Sequence, residues 1–301
     1  MRALRLLFLA APLAALGAPP ASFCDAPGWS RVFSDEFDTL NLTTWTVRNG
    51  TAPNDSSCRD AMCLADNVSV EGGVLSLTAR RQQAGWAGFT TGAIESRGKA
   101  YWQAAEGRPF RLCVSGLLPG GGGAGAGLWP AFWMMPESSA CWPTGGEQDI
   151  LEEIDGDGCV AQALAPNSAR AVGATPGSAR AHTPSHANPP ARARSVAHAT
   201  YHMSPNGTCG LDRSEGGSLF IPTLHTAYHE FAVERTVHSL AFVYDGVTVY
   251  NSTGGKLEVL DDAWYLILNF AVGGPWPKPV NASTVFPAVT KVDYVRVSSP
   301  A

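Results

Sequence analysis

The fold is decided by the stretch Asn67-Val-Ser-Val-Glu-Gly-Gly-Val-Leu-Ser-Leu-Thr-Ala79. Apolar and polar residues alternate on both sides of the Gly-Gly pair, so each run presents one apolar face to a core and one polar face to solvent. Two adjacent glycines between such runs are typical of a tight turn, because glycine adopts the positive φ angles that the turn requires. The stretch therefore predicts an antiparallel β-hairpin.

The same pattern recurs towards the end of the chain. A second hairpin is predicted over residues 240–250, around Asp245-Gly246, and buried strands are predicted over residues 264–271 and 291–297. The sequence after residue 23 shows no long segment with helical, 3.6-residue periodicity. We therefore predict an all-β domain in which two stacked antiparallel sheets bury the half-apolar strands.

The first residues have the composition of an export signal. Arg2 and Arg5 precede an apolar run over residues 6–16, and small residues follow it. We interpret residues 1–22 as a signal peptide that is cleaved within residues 17–24. The apolar run is too short to cross a bilayer and no later segment approaches the necessary length, so no membrane span is expected. Residues 23–301 are predicted to form a single domain.

Two further features favour a secreted protein that is extracellular or located in a cell wall. The chain has seven cysteines, and this odd number leaves one that is unpaired or bonded outside the chain. Cys58 and Cys63 are close enough in sequence to form a loop disulfide. Sequons for N-glycosylation occur at Asn41, Asn49, Asn54, Asn67, Asn206, Asn251 and Asn281.

Charge and composition narrow the class of partner. The formal net charge of -5 gives no indication of a basic patch that would bind nucleic acid. It is compatible with a neutral polymer at least as well as with a charged partner. Residues 159–198 are rich in Ala, Arg, Pro, Ser and His and lack aromatic residues. Such a segment buries too little apolar surface to offset the entropy of ordering it, so we predict a disordered surface insertion.

The chemistry is indicated by an acidic cluster, Glu147-Gln-Asp149-Ile-Leu-Glu152. On a regular strand Glu147 and Asp149 share a face, whereas Glu152 points the opposite way. One β-bulge would return Glu152 to the face of the other two acids. Clustered carboxyls raise the pKa of one another, and retaining glycoside hydrolysis needs one ionised and one protonated carboxyl. The spacing alone also fits a solvated acidic edge strand or a calcium site.

Tryptophans near the acids favour a polysaccharide over these two alternatives. Trp129, Trp133 and Trp142 lie close to the cluster in sequence, and Trp276 is a further candidate. Aromatic rings provide flat surfaces on which the apolar faces of sugar rings stack. Trp45 is assigned to the core instead.

These segments resemble glycoside hydrolase family 16, particularly its laminarinase-like endo-β-1,3-glucanases. The hallmark of that family is E-x-D-x-x-E preceded by W-P-A-x-W, and this chain carries both, the latter as Trp129-Pro-Ala-Phe-Trp133. The similarity extends over most of the chain after the signal peptide. It includes residues 33–38, 67–80, 228–234, 265–276 and 292–297.

The resemblance implies a fold, an activity and catalytic roles. The fold would be a concanavalin-A-like β-jelly-roll sandwich, and the activity would be retaining, endo-acting hydrolysis of β-1,3 bonds in β-glucan. Glu147 would be the nucleophile, Asp149 its helper and Glu152 the acid/base. We expect a monomer whose chemistry requires no cofactor.

The resemblance also assigns binding residues. The substrate contacts of the family map onto Asn67, Arg111, Trp129, Trp133 and His202, and we add Trp142 because it lies beside the acids. Several members bind a structural calcium where the terminal strands meet, which would involve Glu36 and Asp293 here.

The chain departs from the family pattern at two positions. Residue 148 is usually apolar in the family, and Gln148 would face the layer between the sheets, where its amide needs local hydrogen bonds. A tryptophan usually follows the equivalent of Glu234, and this chain has Arg235 there.

Three other functions remain compatible with the same fold. They are a non-catalytic β-glucan recognition protein, a transglycosylase that remodels wall glucan, and a hydrolase of galactans. All three acids are present, which favours an enzyme. The tryptophan-rich segment contains no cluster of Arg or Lys that would suit sulfated galactans.

Overall fold

The computed structural model describes residues 22–121, 123–138, 141–154, 195–253, 260 and 262–301. The predicted signal peptide, apart from its last residue, and positions 159–194 of the predicted insertion lie outside these ranges. No helix in the described part is long and apolar enough to span a membrane.

Strands dominate the described residues, as the alternating sequence pattern predicts. Two short 3-10 helices cover Phe23–Asp25 and Ala65–Asn67. The strands are, in chain order, β1 (Trp29–Asp35), β2 (Thr46–Val47), β3 (Ala61–Cys63), β4 (Val68–Glu71), β5 (Val74–Ala79), β6 (Phe89–Thr91), β7 (Ala93–Glu95), β8 (Phe110–Leu117), β9 (Leu128–Pro136), β10 (Glu147–Glu152), β11 (Val196–Met203), β12 (Arg213–Phe220), β13 (His229–Arg235), β14 (Ser239–Tyr244), β15 (Val247–Thr253), β16 (Trp264–Val272) and β17 (Ala288–Pro300).

Two large sheets form the sandwich. The first has the order β15-β14-β13-β8-β17-β5-β4, and β1 pairs with the free edge of the last part of β17. The second has the order β12-β11-β10-β9-β16-β7-β2, and β3 and β6 form a small parallel pair beside them. All pairings within the two large sheets are antiparallel, which confirms the predicted jelly-roll sandwich.

Both predicted hairpins are confirmed, and their turns show why. Gly72 and Gly73 have φ angles of 59° and 78° between β4 and β5, and Asp245 and Gly246 have 47° and 78° between β14 and β15. Two successive positive φ angles match the right-handed twist of the flanking strands, and glycine adopts them without a steric penalty.

The core lies between the two sheets, and β9 shows how the site strands are oriented. Leu128, Phe132 and Met134 are at most 1% exposed and face the first sheet. The alternate residues of β9 consequently face away from the core, on the outer side of the second sheet. Trp45 is fully buried and donates from Nε1 to Asp35 over 2.7 Å, which confirms its assignment to the core.

The boundary of the predicted insertion is wrong at its C-terminal side. Residues 196–198 form the start of β11, which pairs with both β10 and β12. Their composition resembles that of the preceding segment, but all three residues pair with β12, and β10 adds a second pairing at His198.

Three disulfides connect the described cysteines. Cys58–Cys63 is confirmed, and Cys24–Cys113 and Cys141–Cys209 join distant parts of the chain. The seventh cysteine, Cys159, lies outside the described residues.

The two departures from the family pattern both lie in the core. Gln148 is fully buried, as predicted, but neither polar atom of its amide has a hydrogen-bond partner among the described residues. The prediction of local hydrogen bonds for Gln148 is therefore wrong. Arg235 is 1% exposed, donates from Nη2 to the Leu260 carbonyl and lies 5.1 Å from the ring centroid of Trp264.

Candidate active site

The acidic cluster lies on β10, and a β-bulge orients it as predicted. Asp149 pairs with Trp133 of β9, whereas Leu151 pairs with the preceding residue, Phe132, so that Ile150 is the extra residue. The pairing of β10 with β11 shifts at the same place. Ile150 and Leu151 are fully buried, and the bulge returns Glu152 to the cleft face of the strand.

The three acids open into a cleft on the outer face of the second sheet. Its volume is about 420 Å³. The lining side chains come from β9, β10, β16 and two loops, and they are Ser56, Arg59, Trp129, Ala131, Trp133, Met135, Trp142, Glu147, Asp149, Glu152, Asn269 and Ala271.

Each glutamate of the pair is held by the indole of a different tryptophan. Trp142 donates from Nε1 to Glu147 Oε2 over 2.8 Å, and Trp129 donates from Nε1 to Glu152 Oε1 over 3.0 Å. Trp142 is 42% exposed, so its ring remains available to a ligand. The structure therefore brings the predicted tryptophans and acids together at one site.

Trp133 occupies the floor of the cleft between the two outer indoles. It is 8% exposed and donates from Nε1 to Asn269 Oδ1 over 2.6 Å. Asn269 in turn donates to the Ser57 carbonyl over 2.8 Å, which ties the cleft floor to the loop that carries Cys58.

His202, on β11, lies next to Asp149. Its Nε2 is 3.2 Å from Asp149 Oδ2, and its Nδ1 is 2.9 Å from Asp212 Oδ2. Burial lowers the pKa of His202, but its contacts with Asp149, Glu147 and Asp212 outweigh burial and raise the pKa to about 10. His202 therefore carries a positive charge at neutral pH, between two carboxylates.

Burial governs the protonation of the three acids. Burial first, and then the charge of Asp149, raise the pKa of Glu152. Burial and the charge of Glu147 likewise raise the pKa of Asp149. Burial also raises the pKa of Glu147, but His202 and the hydrogen bonds from Trp142 and Asp149 oppose that rise. The pKa values of all three acids are therefore raised, and the contacts of Glu147 with His202, Trp142 and Asp149 are the ones that favour its ionised form.

Two residues predicted to contact substrate, Arg111 and Asn67, do not line this cleft. Arg111 is on β8 of the first sheet, where it binds Glu234 over 2.7 Å and lies between the rings of Phe23 and Trp29. Asn67 is 2% exposed and donates to the Thr78 carbonyl over 2.6 Å. Arg111 therefore packs near the start of the described chain, and Asn67 is bound to the β4–β5 hairpin.

Glu36, one of the two side chains proposed for calcium, is already bound by arginine. Both carboxylate oxygens of Glu36 are bound by Arg296, at 2.9 and 2.8 Å, and Arg31 adds a third contact at 3.3 Å. The Glu36 carboxylate is therefore neutralised by arginine and is not a free ligand. Among the described residues, three side chains at mutual metal-ligand distance occur at Glu147, Asp149 and His202, within the acidic cluster itself.

Two residues near the acids were not found from the sequence. His198 of β11 pairs with Glu152 across the sheet, and its ring lies 5.3 Å from Trp276. Strand alternation counted back from His202 would have identified His198, but residues 159–198 were assigned to the insertion. Arg59 lies in an irregular loop, where no sequence periodicity points to the cleft.

Comparison with known proteins gives the class of this fold and site. The chain is 30% identical over 292 residues to a beta-glucanase from Rhodothermus marinus, an alignment that covers 90% of this chain and 86% of that protein. The X-ray structure of the laminarinase from Rhodothermus marinus is 28% identical, with a TM-score of 0.65 and coverage of 90% and 97%.

A third comparison concerns the fold alone. The X-ray structure of the endo-β-1,3-glucanase from Pyrococcus furiosus is 24% identical, with a TM-score of 0.66 and coverage of 91% of this chain and 95% of that chain. No protein-family model matches the chain. The identity and coverage shared with the beta-glucanase nonetheless show the class, which is a glycoside hydrolase. The chain belongs to the laminarinase-like glucanases of glycoside hydrolase family 16.

Proposed function

We propose that this protein hydrolyses internal β-1,3-glucosidic bonds of laminarin-type β-glucan with retention of anomeric configuration. The observation that carries the proposal is the bulge at Ile150, which places Glu147 and Glu152 on one cleft face, each beneath an indole N–H. The beta-glucanase and laminarinase relatives support the choice of substrate.

The two glutamates divide the reaction between them. Glu152, protonated, donates its proton to the glycosidic oxygen while the Glu147 carboxylate attacks the anomeric carbon, so that the leaving chain departs as an alcohol. Water then attacks the glycosyl-enzyme ester, and Glu152 accepts a proton from that water. Glu147 is released as a carboxylate, and the two displacements together restore the original configuration.

Asp149 and His202 maintain the two protonation states. A protonated Asp149 donates to Glu147 and thereby favours its ionised form, and the His202 cation adds to that effect. Asp212 holds the other ring nitrogen of His202 and fixes the orientation of the imidazole. These residues position and polarise the nucleophile.

The aromatic rings of the cleft wall suit a sugar polymer. Trp142 presents a partly exposed ring, and Trp129 and Trp133 line the same cleft. We assign these three tryptophans and His202 to substrate binding. A calcium ion is not part of the proposal, because the Glu36 carboxylate is bound by arginine.

Secretion and a monomeric state belong to the same proposal. Three disulfides suit an oxidising compartment. Six of the seven sequon asparagines are exposed, whereas Asn67 is buried and would not be glycosylated in the folded protein.

The test is a side-by-side assay of purified protein on laminarin, lichenan, agarose and carrageenan. We expect reducing ends from laminarin, with the β-anomer appearing first in a proton NMR time course. Binding of laminarin without reducing ends would show a recognition protein, and longer products in the presence of acceptor oligosaccharides would show a transglycosylase. Cleavage of agarose or carrageenan in preference to laminarin would show a galactan hydrolase.

A further inference from the structure

Arg59 lies in the cleft, and its guanidinium group forms no hydrogen bond with the described residues. Its guanidinium carbon lies 5.0 Å from the ring centroid of Trp129, and its side chain lines the cleft together with Glu152. The described residues offer it no ion pair or hydrogen bond, and its Nε is buried without an acceptor. Arg48, Arg111 and Arg296, in contrast, each bind at least one carboxylate.

The position of Arg59 is fixed by its backbone and by its stem. Its N–H donates to the Asp55 carbonyl over 2.8 Å, and the next residue, Asp60, donates to the Val272 carbonyl of β16 over 2.9 Å. The Cys58–Cys63 disulfide closes the same loop. Gly274 has a φ of 107°, and a Cβ there would lie 3.3 Å from both Arg59 Cγ and Trp129 Cζ3, so the stem and ring are closely packed.

A half-buried guanidinium without acceptors is unfavourable unless a ligand supplies them. Arginine has five N–H donors and cannot be deprotonated in proteins. A buried donor that is left unpaired destabilises the protein, because it has lost its hydrogen bonds to water without gaining others. Arg59 nonetheless lies at the cleft, next to Trp129, whose indole donates a hydrogen bond to Glu152.

We propose that Arg59 is a substrate-binding residue whose guanidinium N–H groups donate hydrogen bonds to hydroxyl oxygens of the glucan at the Trp129–Glu152 wall of the cleft. This inference rests on the proposed function. Neutral hydroxyls are the acceptors because the proposed substrate is an uncharged glucan, and the ionised Glu147 in the same cleft repels an anionic sugar.

The experiment compares Arg59→Met, which retains the stem over Trp129 but removes the donors, with Arg59→Lys, which retains the charge. The matched control is Arg81→Met, because Arg81 also stacks on an aromatic ring, 5.2 Å from the centroid of Phe89, but does not line the cleft. For each variant kcat and KM are measured on laminarin. The Kd for a laminarin oligosaccharide is measured by calorimetry in a Glu152→Gln background.

We expect Arg59→Met to raise KM and Kd by about tenfold, since hydrogen bonds to a charged group are worth about 1.5–3 kcal/mol, and kcat to change little. Arg59→Lys should recover part of the affinity, and Arg81→Met should match the wild type. Removing the positive charge should also move the alkaline limb of kcat/KM to higher pH, because Arg59 lowers the pKa of Glu152.

Failure of the inference and failure of the proposed function give different results. If the wild type hydrolyses laminarin but Arg59→Met has the KM and Kd of the control, Arg59 does not bind the glucan. A loss in kcat alone, with unchanged Kd, would also overturn the inference, as would tighter wild-type binding of carboxymethylated than of neutral laminarin. If the Arg59→Met variant does not fold, the Arg59→Lys variant provides the test. A Kd of Arg59→Lys equal to that of the wild type would then overturn the inference. A wild type without activity on laminarin refutes the proposed function instead.

Discussion

The Trp129 indole donates a hydrogen bond to the Glu152 carboxyl over 3.0 Å at one end of the catalytic strand. Trp142 makes the equivalent contact, 2.8 Å long, with Glu147 at the other end. A donor that faces a carboxylate stabilises its charged form and lowers its pKa. The two tryptophans therefore act on opposite partners of the proposed catalytic pair, Trp129 on the proposed acid and Trp142 on the proposed nucleophile.

Removing each indole N–H should shift a different limb of the pH profile. In Trp129→Phe the pKa of Glu152 rises, so the protonated acid survives to higher pH and the alkaline limb of kcat/KM moves up. In Trp142→Phe the pKa of Glu147 rises, so the nucleophile ionises at a higher pH and the acidic limb of kcat/KM moves to higher pH. Each shift should be about one pH unit, the equivalent of one hydrogen bond to a charged group. Profiles in which both variants move the same limb would contradict the assigned roles.

Glu147→Gln and Glu152→Gln should each abolish most of the hydrolysis of laminarin, with a loss of at least about 100-fold in kcat. Glu106→Gln is the control, because Glu106 is highly exposed and, within the described part of the chain, forms an ion pair only with His238, at 3.6 Å. The roles can be separated with azide, a small nucleophile. Azide should rescue Glu152→Ala with a β-glycosyl azide product and Glu147→Ala with an α-glycosyl azide product, and the reverse stereochemistry would exchange the two roles.

Gln148→Met should stabilise the protein. The Gln148 amide is fully buried without a hydrogen-bond partner among the described residues, and methionine has a similar shape without the polar atoms. Relief of the desolvation penalty should raise the free energy of unfolding by about 1–3 kcal/mol in urea denaturation. Gln83→Met, at an exposed amide, should change it by less than about 0.5 kcal/mol. A destabilised Gln148→Met would show that the amide has a partner in solution, such as a buried water.

The disulfides should differ in their contributions to stability according to the length of chain that they close. Cys24–Cys113 spans 89 positions, whereas Cys58–Cys63 spans 5. The chain-entropy relation gives about 4–5 kcal/mol for the long loop and about 2 kcal/mol for the short one. Replacing each pair with serines and comparing urea midpoints tests this order. An equal or reversed order would mean that packing around the cysteines outweighs loop closure.

Much of the fold could be predicted because strand alternation and turn chemistry are local properties. The hairpin around Gly72 and Gly73 and the bulge at Ile150 both follow from the two-residue repeat of a strand and from the need to place apolar residues in the core. Arg111 could not be placed in this way. Its neighbours in sequence predict a strand, but whether that strand lies in the sheet with the cleft depends on pairings with β13 and β17, which are distant in sequence.

The C-terminal end of the predicted insertion, residues 159–198, also could not be located from the sequence alone. The composition around His198 is that of an unstructured segment, yet β11 begins at Val196 because β12 pairs with it from that residue onward, and β10 joins the ladder at His198. The location of His198 beside Glu152 follows from that pairing, and it could not be derived from the composition.

The amino-acid sequence by itself determined the all-β architecture, the catalytic strand with its three acids and the tryptophans that accompany them, because these depend on neighbours within a few residues. Only the tertiary structure decided which distant side chains reach the cleft. It brought His202 to Asp149 and Arg59 to Trp129, and it directed Arg111 and Asn67 to other contacts. The physical reason is that sheet pairing and loop packing join residues far apart in sequence, and local periodicity carries no information about those contacts.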